Sequence, residues 1–300
     1  MSSIQVRRFR RDDRVQLTAL VNGHVGAVMP GVSVSVNTVL SQIERDPGEF
    51  IVDPWVDERL TLVAEERARI VGAAHLLRYR SDEDVPEDFR GAGEIKWFLF
   101  WPPAPYWRSD DDVAPKLMDA SINALQALGC DTLWADGALP APGVYGIPDQ
   151  WPHVASAYER VGFEHGGRVE TILIVDVADL AAGPELPGVS VRRSVGINGT
   201  RLTATKDDED LGFIEVDVSL GDARQGAPSL ADISELEVDE AHRGRGVGRW
   251  LIGQAAAWLR LGRVERLITY AEGDEDPCLA FLQHVGFRVL TRTRRGWSKP

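Results

Sequence analysis

The chain has 300 residues, enough for one large or two ordinary domains, and 44% apolar residues, enough for a proper core. Its 33 Lys and Arg against 46 Asp and Glu give a formal net charge of -13, which argues against nonspecific nucleic-acid binding and is compatible with a cationic substrate. No apolar run approaches the ~18 residues of a membrane span, the N-terminus has no apolar signal core, and Cys130 and Cys278 are too few and too far apart for a disulfide framework or a zinc cluster. The cytoplasm is the expected compartment.

In chain order, residues 4–9 read as a strand. Residues 12–21 read as a helix, with Asp12 or Asp13 as its cap and Val15, Leu17 and Leu20 inward. Residues 36–45 form a second helix, capped by Asn37. Residues 60–64 and 70–78 form a hairpin. A strand over 94–101, a helix over 113–128, a strand over 132–135, a helix over 153–161 and strand material over 171–177 complete the first half. The run from Pro102 to Asp112 is rich in proline and ends in Asp110, Asp111 and Asp112. Three carboxylates suit a helix N-terminus, and they occupy the place an anion would otherwise take. Like charges ~4 Å apart repel by about 4 kcal/mol at an effective dielectric near 20. Trp97, Phe98, Phe100, Trp101, Tyr106 and Trp107 are dense enough for an interdomain or dimer surface, or for a pocket wall. A homodimer is one assembly they would serve.

Residues 179–187, rich in Gly and Pro, mark the boundary, so 1–180 and 187–300 are the expected domains. Two echoes then appear in the same order. Val6-Arg7-Arg8 recurs as Val191-Arg192-Arg193, and Tyr158 to Phe163 recurs as Leu282 to Phe287, each ending a helix in Gly-Phe. They point to two copies of one fold. The interval from Val6 to Gly162 exceeds that from Val191 to Gly286 by 61 positions, and the shortage falls at the front of the second copy. There strand-like residues 201–205 and 213–218 follow with no room for two helices. A strand over 233–238, a helix over 249–261, a strand over 266–271, a helix over 277–285 and a strand over 287–293 follow, with Asp276 as cap of the last helix and Trp297 in the tail.

The most informative stretch is Arg243-Gly244-Arg245-Gly246-Val247-Gly248, between the strand ending at Val238 and the helix that carries Trp250, Leu251, Ala255 and Leu259. A strand, a glycine turn and a helix N-terminus make an anion site, because the first N–H groups of a helix lack intrahelical partners and its dipole is positive there. Arg243, Arg245 and Arg249 add charge. A P-loop would need Gly-Lys-Ser/Thr, and a dinucleotide fingerprint would need G-x-G-x-x-G/A; neither fits. What fits is R-x-x-G-x-G, as Arg243, Gly246 and Gly248, five residues after the Leu236–Val238 strand end. This resembles the acyl-CoA pyrophosphate loop of the GNAT superfamily of N-acetyltransferases.

The resemblance implies a mixed α/β (α+β) fold in two tandem GNAT copies, the first with a degenerate cofactor loop. It implies acetyl-CoA as cosubstrate, without a metal. The cofactor would be held by Leu236, Glu237 and Val238 and by Arg243, Gly244, Arg245, Gly246, Val247, Gly248 and Arg249. The reaction would be direct attack of a primary amine, from a small molecule or a peptide amino terminus, on the thioester. Glu235 and Glu237 alternate with Leu236 and Val238 and so share a face; they are the candidate bases, Glu235 first. The tyrosine that often protonates the thiolate corresponds to Tyr158 in the first copy, read here as a packing residue, and to Leu282 in the second. A frequent asparagine is Glu275. Tyr270 is then the candidate acid, ahead of His284, and Cys278 reads as a helix packing residue. A non-catalytic acetyl-CoA sensor or scaffold is the alternative.

Overall fold

A computed structural model describes residues 4–44, 55–102, 112–135, 144–218, 229–273 and 277–299. The chain divides into two compact units, Met1–Glu170 with Arg292–Pro300, and Thr171–Thr291. No helix among the described residues is long and apolar enough to cross a membrane.

The first unit holds β1 (Gln5–Arg8), α1 (Arg14–Val28), α2 (Val36–Ile43), β2 (Val56–Glu66), β3 (Arg69–Tyr79), β4 (Gly93–Phe100), α3 (Val113–Ala127), β5 (Leu133–Ala135), β6 (Ile147–Pro148), α4 (Pro152–Arg160) and the start of β7 (Glu164–Asp176). Local chemistry corrects three expectations. Asp13 stands at the N-cap position of α1, but its side chain makes no capping hydrogen bond to the helix. Its buried carboxylate accepts from Arg7 at 2.7 and 2.8 Å and from the Arg10 backbone N–H at 2.8 Å. Val15 points to solvent, while Leu17 and Leu20 are buried. Ser35, not Asn37, caps α2: its Oγ accepts from the Thr38 N–H at 3.1 Å.

Trp97, Phe98 and Phe100 are at most 5% exposed and belong to the core. Trp101 is partly exposed, and Tyr106, Trp107, Asp110 and Asp111 lie outside the described residues. Tyr158 is fully buried, with ring contacts to Phe98, Phe163 and Trp297. Burial pushes its phenol far up, as expected of a packing residue.

The second unit holds the rest of β7, then β8 (Ser190–Val195), β9 (Thr200–Lys206), β10 (Glu209–Asp217), β11 (Leu230–Val238), α5 (Val247–Leu261), β12 (Arg266–Glu272), α6 (Pro277–Val285) and the start of β13 (Arg288–Lys299). Its strand order is β7-β12-β11-β10-β9-β8. Residues 196–199 alone join β8 to β9, where the first unit has α1 and α2 between its first two strands. The front of the second copy is short for this reason. One face of the sheet packs on α5 through Leu202, Ala204, Ile214, Val216, Ala231 and Ile233.

The division between units differs from the expected one at both ends. Leu173, Val175, Val177 and Leu180 pack into the core of the second unit. The Gly-Pro stretch that follows is a strap lying on α5. Gly183 comes so close that an added Cβ would stand 2.5 Å from Trp250 Cα. At the other end, β13 runs on past Thr291 into the first unit, where Trp297, Ser298 and Lys299 pair antiparallel with Ala135, Trp134 and Leu133 of β5. Trp297, in the tail of the chain, is therefore a buried core residue.

Candidate functional site

β11 is the strand on which the site is built. It pairs with β10 along its length, but the register slips between Glu215 and Val216: Glu215 faces Glu235 and Val216 faces Ile233. Ser234 is the extra residue of a β-bulge. Bulges re-aim the side chains that follow them. Ile233 and Leu236, three apart, therefore both turn to the α5 core, and Glu235 and Glu237 both turn to the opposite face.

On its other edge β11 pairs with β12 in parallel over Leu230–Asp232 and Arg266–Ile268, and the pairing stops there. Beyond it, among the described residues, β11 is laddered to β10 alone. The segment carrying Leu236, Glu237 and Val238 thus has one edge free of strand pairing. Tyr270, two residues beyond Ile268, lies on the face of Asp232 and is 45% exposed, so Glu235, Glu237 and Tyr270 share a face.

The glycine turn follows directly. Asp239 Oδ1 accepts from the Ala241 N–H at 2.9 Å and starts a tight 3-10 turn over Glu240–His242. Arg243 Nε donates to the Val238 carbonyl at 3.0 Å and ties the turn to the strand end. Gly244 and Gly246 have φ of 72° and 86°, which side-chain-bearing residues adopt at a cost. Gly246 is the N-cap of α5, and Val247, Gly248 and Arg249 open the helix with no acidic residue in its first turn. Arg243, Arg245 and Arg249 are exposed around it. At Gly248 an added Cβ would stand 3.3 Å from the Phe281 ring, because α6 packs there.

A cavity of about 600 Å³ opens on the Glu237 side of the sheet, lined among others by Arg192, Arg201, Thr203, Phe213, Glu237 and Asp239. Glu235 does not line it; its carboxylate lies 3.6 Å from Arg201. Leu282, at the tyrosine position, is buried in the core. His284 is exposed, Cys278 packs against the core, and Glu275 and Asp276 lie outside the described residues. Sequence reasoning missed Arg201, Glu215 and Asp232. Asp232 faces Asp217 across the strands. Burial, and then that neighbouring carboxylate, push its pKa up to about 7. Only the register brings these groups together.

Residues 194–287 match the model of the Acetyltransferase (GNAT) family. The fold as a whole is similar to solved structures. One is a tandem GNAT protein from the clavulanic acid biosynthesis pathway, 16% identical, TM-score 0.69, covering 99% of this chain and 98% of that one. Another is a GCN5-related N-acetyltransferase from Sphaerobacter thermophilus, 14% identical, TM-score 0.65, covering 99% and 95%. A third is a GCN5-related glucosamine N-acetyltransferase region in a fungal multi-domain GH3 beta-N-acetylglucosaminidase, 16% identical, TM-score 0.66. There the match covers 99% of this chain and 38% of that protein's chain, so this chain spans well under half of it. No match was found among the curated proteins compared. The fold is that of tandem GNAT proteins, and the residues matched by the family model lie in the second unit.

Proposed function

We propose that the protein is an N-acetyltransferase that moves an acetyl group from acetyl-CoA to a primary amine. The observation that carries the reading is the run from bulge to helix. β11 parts from β12 after Asp232, keeps an edge free of strand pairing through Val238, and leads into a glycine turn and helix start that carry three exposed arginines, Arg243, Arg245 and Arg249. The turn receives the pyrophosphate, with Gly244, Gly246, Val247, Gly248 and Arg249 supplying backbone donors. The acyl arm lies along Leu236–Val238, and a backbone N–H there meets the oxyanion, a donor worth about 2.7–4 kcal/mol in the transition state.

An alkylamine is mostly protonated at neutral pH and must lose a proton before it attacks. Of the two β11 glutamates Glu237 is the one that lines the cavity, and it takes the ammonium and its proton, directly or through water. The geometry moves the first choice from Glu235 to Glu237, because Glu235 is turned to Arg201. The departing thiol has a pKa near 8.5, as cysteine does, and leaves as thiolate; in this reading Tyr270, on the Glu237 face and 45% exposed, protonates it. A second reading, an acetyl-CoA sensor that does not transfer, is favoured by the burial of Leu282 where the family often has a tyrosine.

Thiol release from acetyl-CoA across a panel of amines separates the two. Transfer predicts amine-dependent release, with kcat/KM reduced about 10²–10⁴-fold in Glu237→Gln, the usual contribution of a general base. Tight acetyl-CoA binding with no release for any amine would leave the sensor.

A further inference from the structure

The strand registers set two rows of side chains across the cavity face. Arg192 stands opposite Thr203, Thr203 opposite Phe213, and Phe213 opposite Glu237. In the next row Ser194 stands opposite Arg201, Arg201 opposite Glu215, and Glu215 opposite Glu235. The cations lie on β8 and β9, and each row ends in a carboxylate on β11. At an interstrand spacing of about 4.8 Å, β9 and β11 are roughly 10 Å apart.

Arg201 is held unusually firmly for a group on a cavity wall. Its Nε donates to Oε2 of Glu215 at 2.8 Å, and Glu215 is fully buried. The Phe213 ring lies beneath the guanidinium, 3.9 Å from its centroid. The Glu215 carboxylate also accepts the Asn198 backbone N–H, so the turn between β8 and β9 closes over it. That turn needs glycine at 196, where an added Cβ would overlap the same carboxylate. Two strands, a turn and an aromatic ring thus fix one planar fork of donors, and such a fork matches a carboxylate.

The outward edge of the fork carries only a loose ion pair: its Nη2 is 3.6 Å from the Glu235 carboxylate, beyond hydrogen-bond reach, and the Glu235 side chain is 46% exposed, so this outer partner is the one a ligand carboxylate displaces. Arg192, the other cation of the wall, is paired with Asp210 at 2.7 Å. We infer that the acceptor is an amine that also carries a carboxylate, of the amino-acid or short-peptide class: Arg201 receives the carboxylate and Glu237 receives the amine. This rests on the reading of the second unit as an amine acetyltransferase and adds the acceptor class to it. Arg201 is then the residue that sets specificity.

Acceptor binding tests this apart from turnover. The full-length protein, with and without CoA, is titrated calorimetrically with proteinogenic amino acids and dipeptides, each against its carboxamide. Two variants guard against misfolding. Arg201→Lys keeps the charge beside Glu215 but loses the fork, and Arg201→Met with Glu215→Met removes the buried pair together. We expect at least one acid to bind tenfold or more better than its amide. Arg201→Lys should weaken that acid tenfold or more and its amide less than twofold. The double variant should erase the preference while melting temperature and acetyl-CoA binding hold. No acid binding better than its amide, or a preference that survives both variants, would overturn the assignment. Absence of thiol release would instead strike the transferase reading, which these titrations do not measure.

Discussion

At the scale of single residues, three titratable groups, buried His75 and half-buried His153 and Asp232, set opposing pH dependences. Burial holds the imidazole of His75 down at about 3, with the Arg59 and Lys96 charges adding to it. Burial and then His24 hold His153 down at about 4. Both lie below the free value near 6.5, so between these values the unfolded chain binds more protons than the folded one. Their stabilisation is complete above pH ~6.5 and is lost as the pH falls toward 4 and then 3. Each pH unit crossed in that range removes at most about 1.4 kcal/mol per imidazole. Asp232 has the opposite sign. Its folded pKa of about 7 lies above the free value of 3.8, so the folded state is favoured below pH ~4 and loses stability as the pH rises to 7. Urea unfolding of the wild type, His75→Asn and Asp232→Asn at pH 5, 6 and 7.5 tests both. Asp232→Asn should gain on the wild type from pH 5 to 7.5, and His75→Asn should gain on it from pH 7.5 down to 5. Curves that run parallel to the wild type would contradict the assignment.

Residue-scale legibility was uneven for a physical reason. Glu235 and Glu237 were readable because alternation along one strand needs no partner. Arg201, Glu215 and Asp232 were not, because their chemistry comes from neighbouring strands: Arg201 is paired with Glu215 from β10, and Asp232 is raised by burial within the sheet and then by Asp217 on β10. A registration slip of one residue changes every such neighbour.

At the scale of elements, local signals placed most helices and strands, including α6 at its full extent. Caps were harder. Ser35 and Asn37 are both capping residue types, and only backbone position separates them. The strap over α5 shows the limit of composition. Residues 181–187 carry the Gly and Pro of a linker, yet Gly183 is there because α5 leaves no space for a side chain. The complementary position on the helix is Gly253, whose added Cβ would overlap the Gly183 backbone. Gly253→Ala would ordinarily favour a helix by about 0.8–1 kcal/mol. Here it should destabilise by roughly 1–3 kcal/mol, because neither backbone can yield cheaply. A denaturation midpoint at or above that of the wild type would show that the strap is not fixed to the helix.

At the scale of the whole molecule, the two-copy organisation was visible in the paired Val-Arg-Arg and Gly-Phe echoes, but the extent of each unit was not. The echo ends at Phe287, and nothing in the 12-residue strand marks Thr291 as the place where β13 leaves one core for another. The C-terminal strand closes the first unit, so Trp297→Ala should cost about 3–5 kcal/mol, as for other buried aromatics. Limited proteolysis followed by mass spectrometry would read the result. Cleavage should increase first within residues 4–170, and increased cleavage confined to 171–291 would contradict this placement.

Everything proposed for the second unit depends on a single acetyl-CoA site, at the turn before α5. Isothermal calorimetry with acetyl-CoA on the wild type, on Gly246→Asp and on Arg243→Ala with Arg245→Ala decides whether it exists. The expected stoichiometry is near one per chain, with binding abolished by a carboxylate at the helix N-cap and weakened by loss of the arginines. Two sites per chain, or binding unaffected by either variant, would rule out this placement; no binding at all would remove the transferase reading.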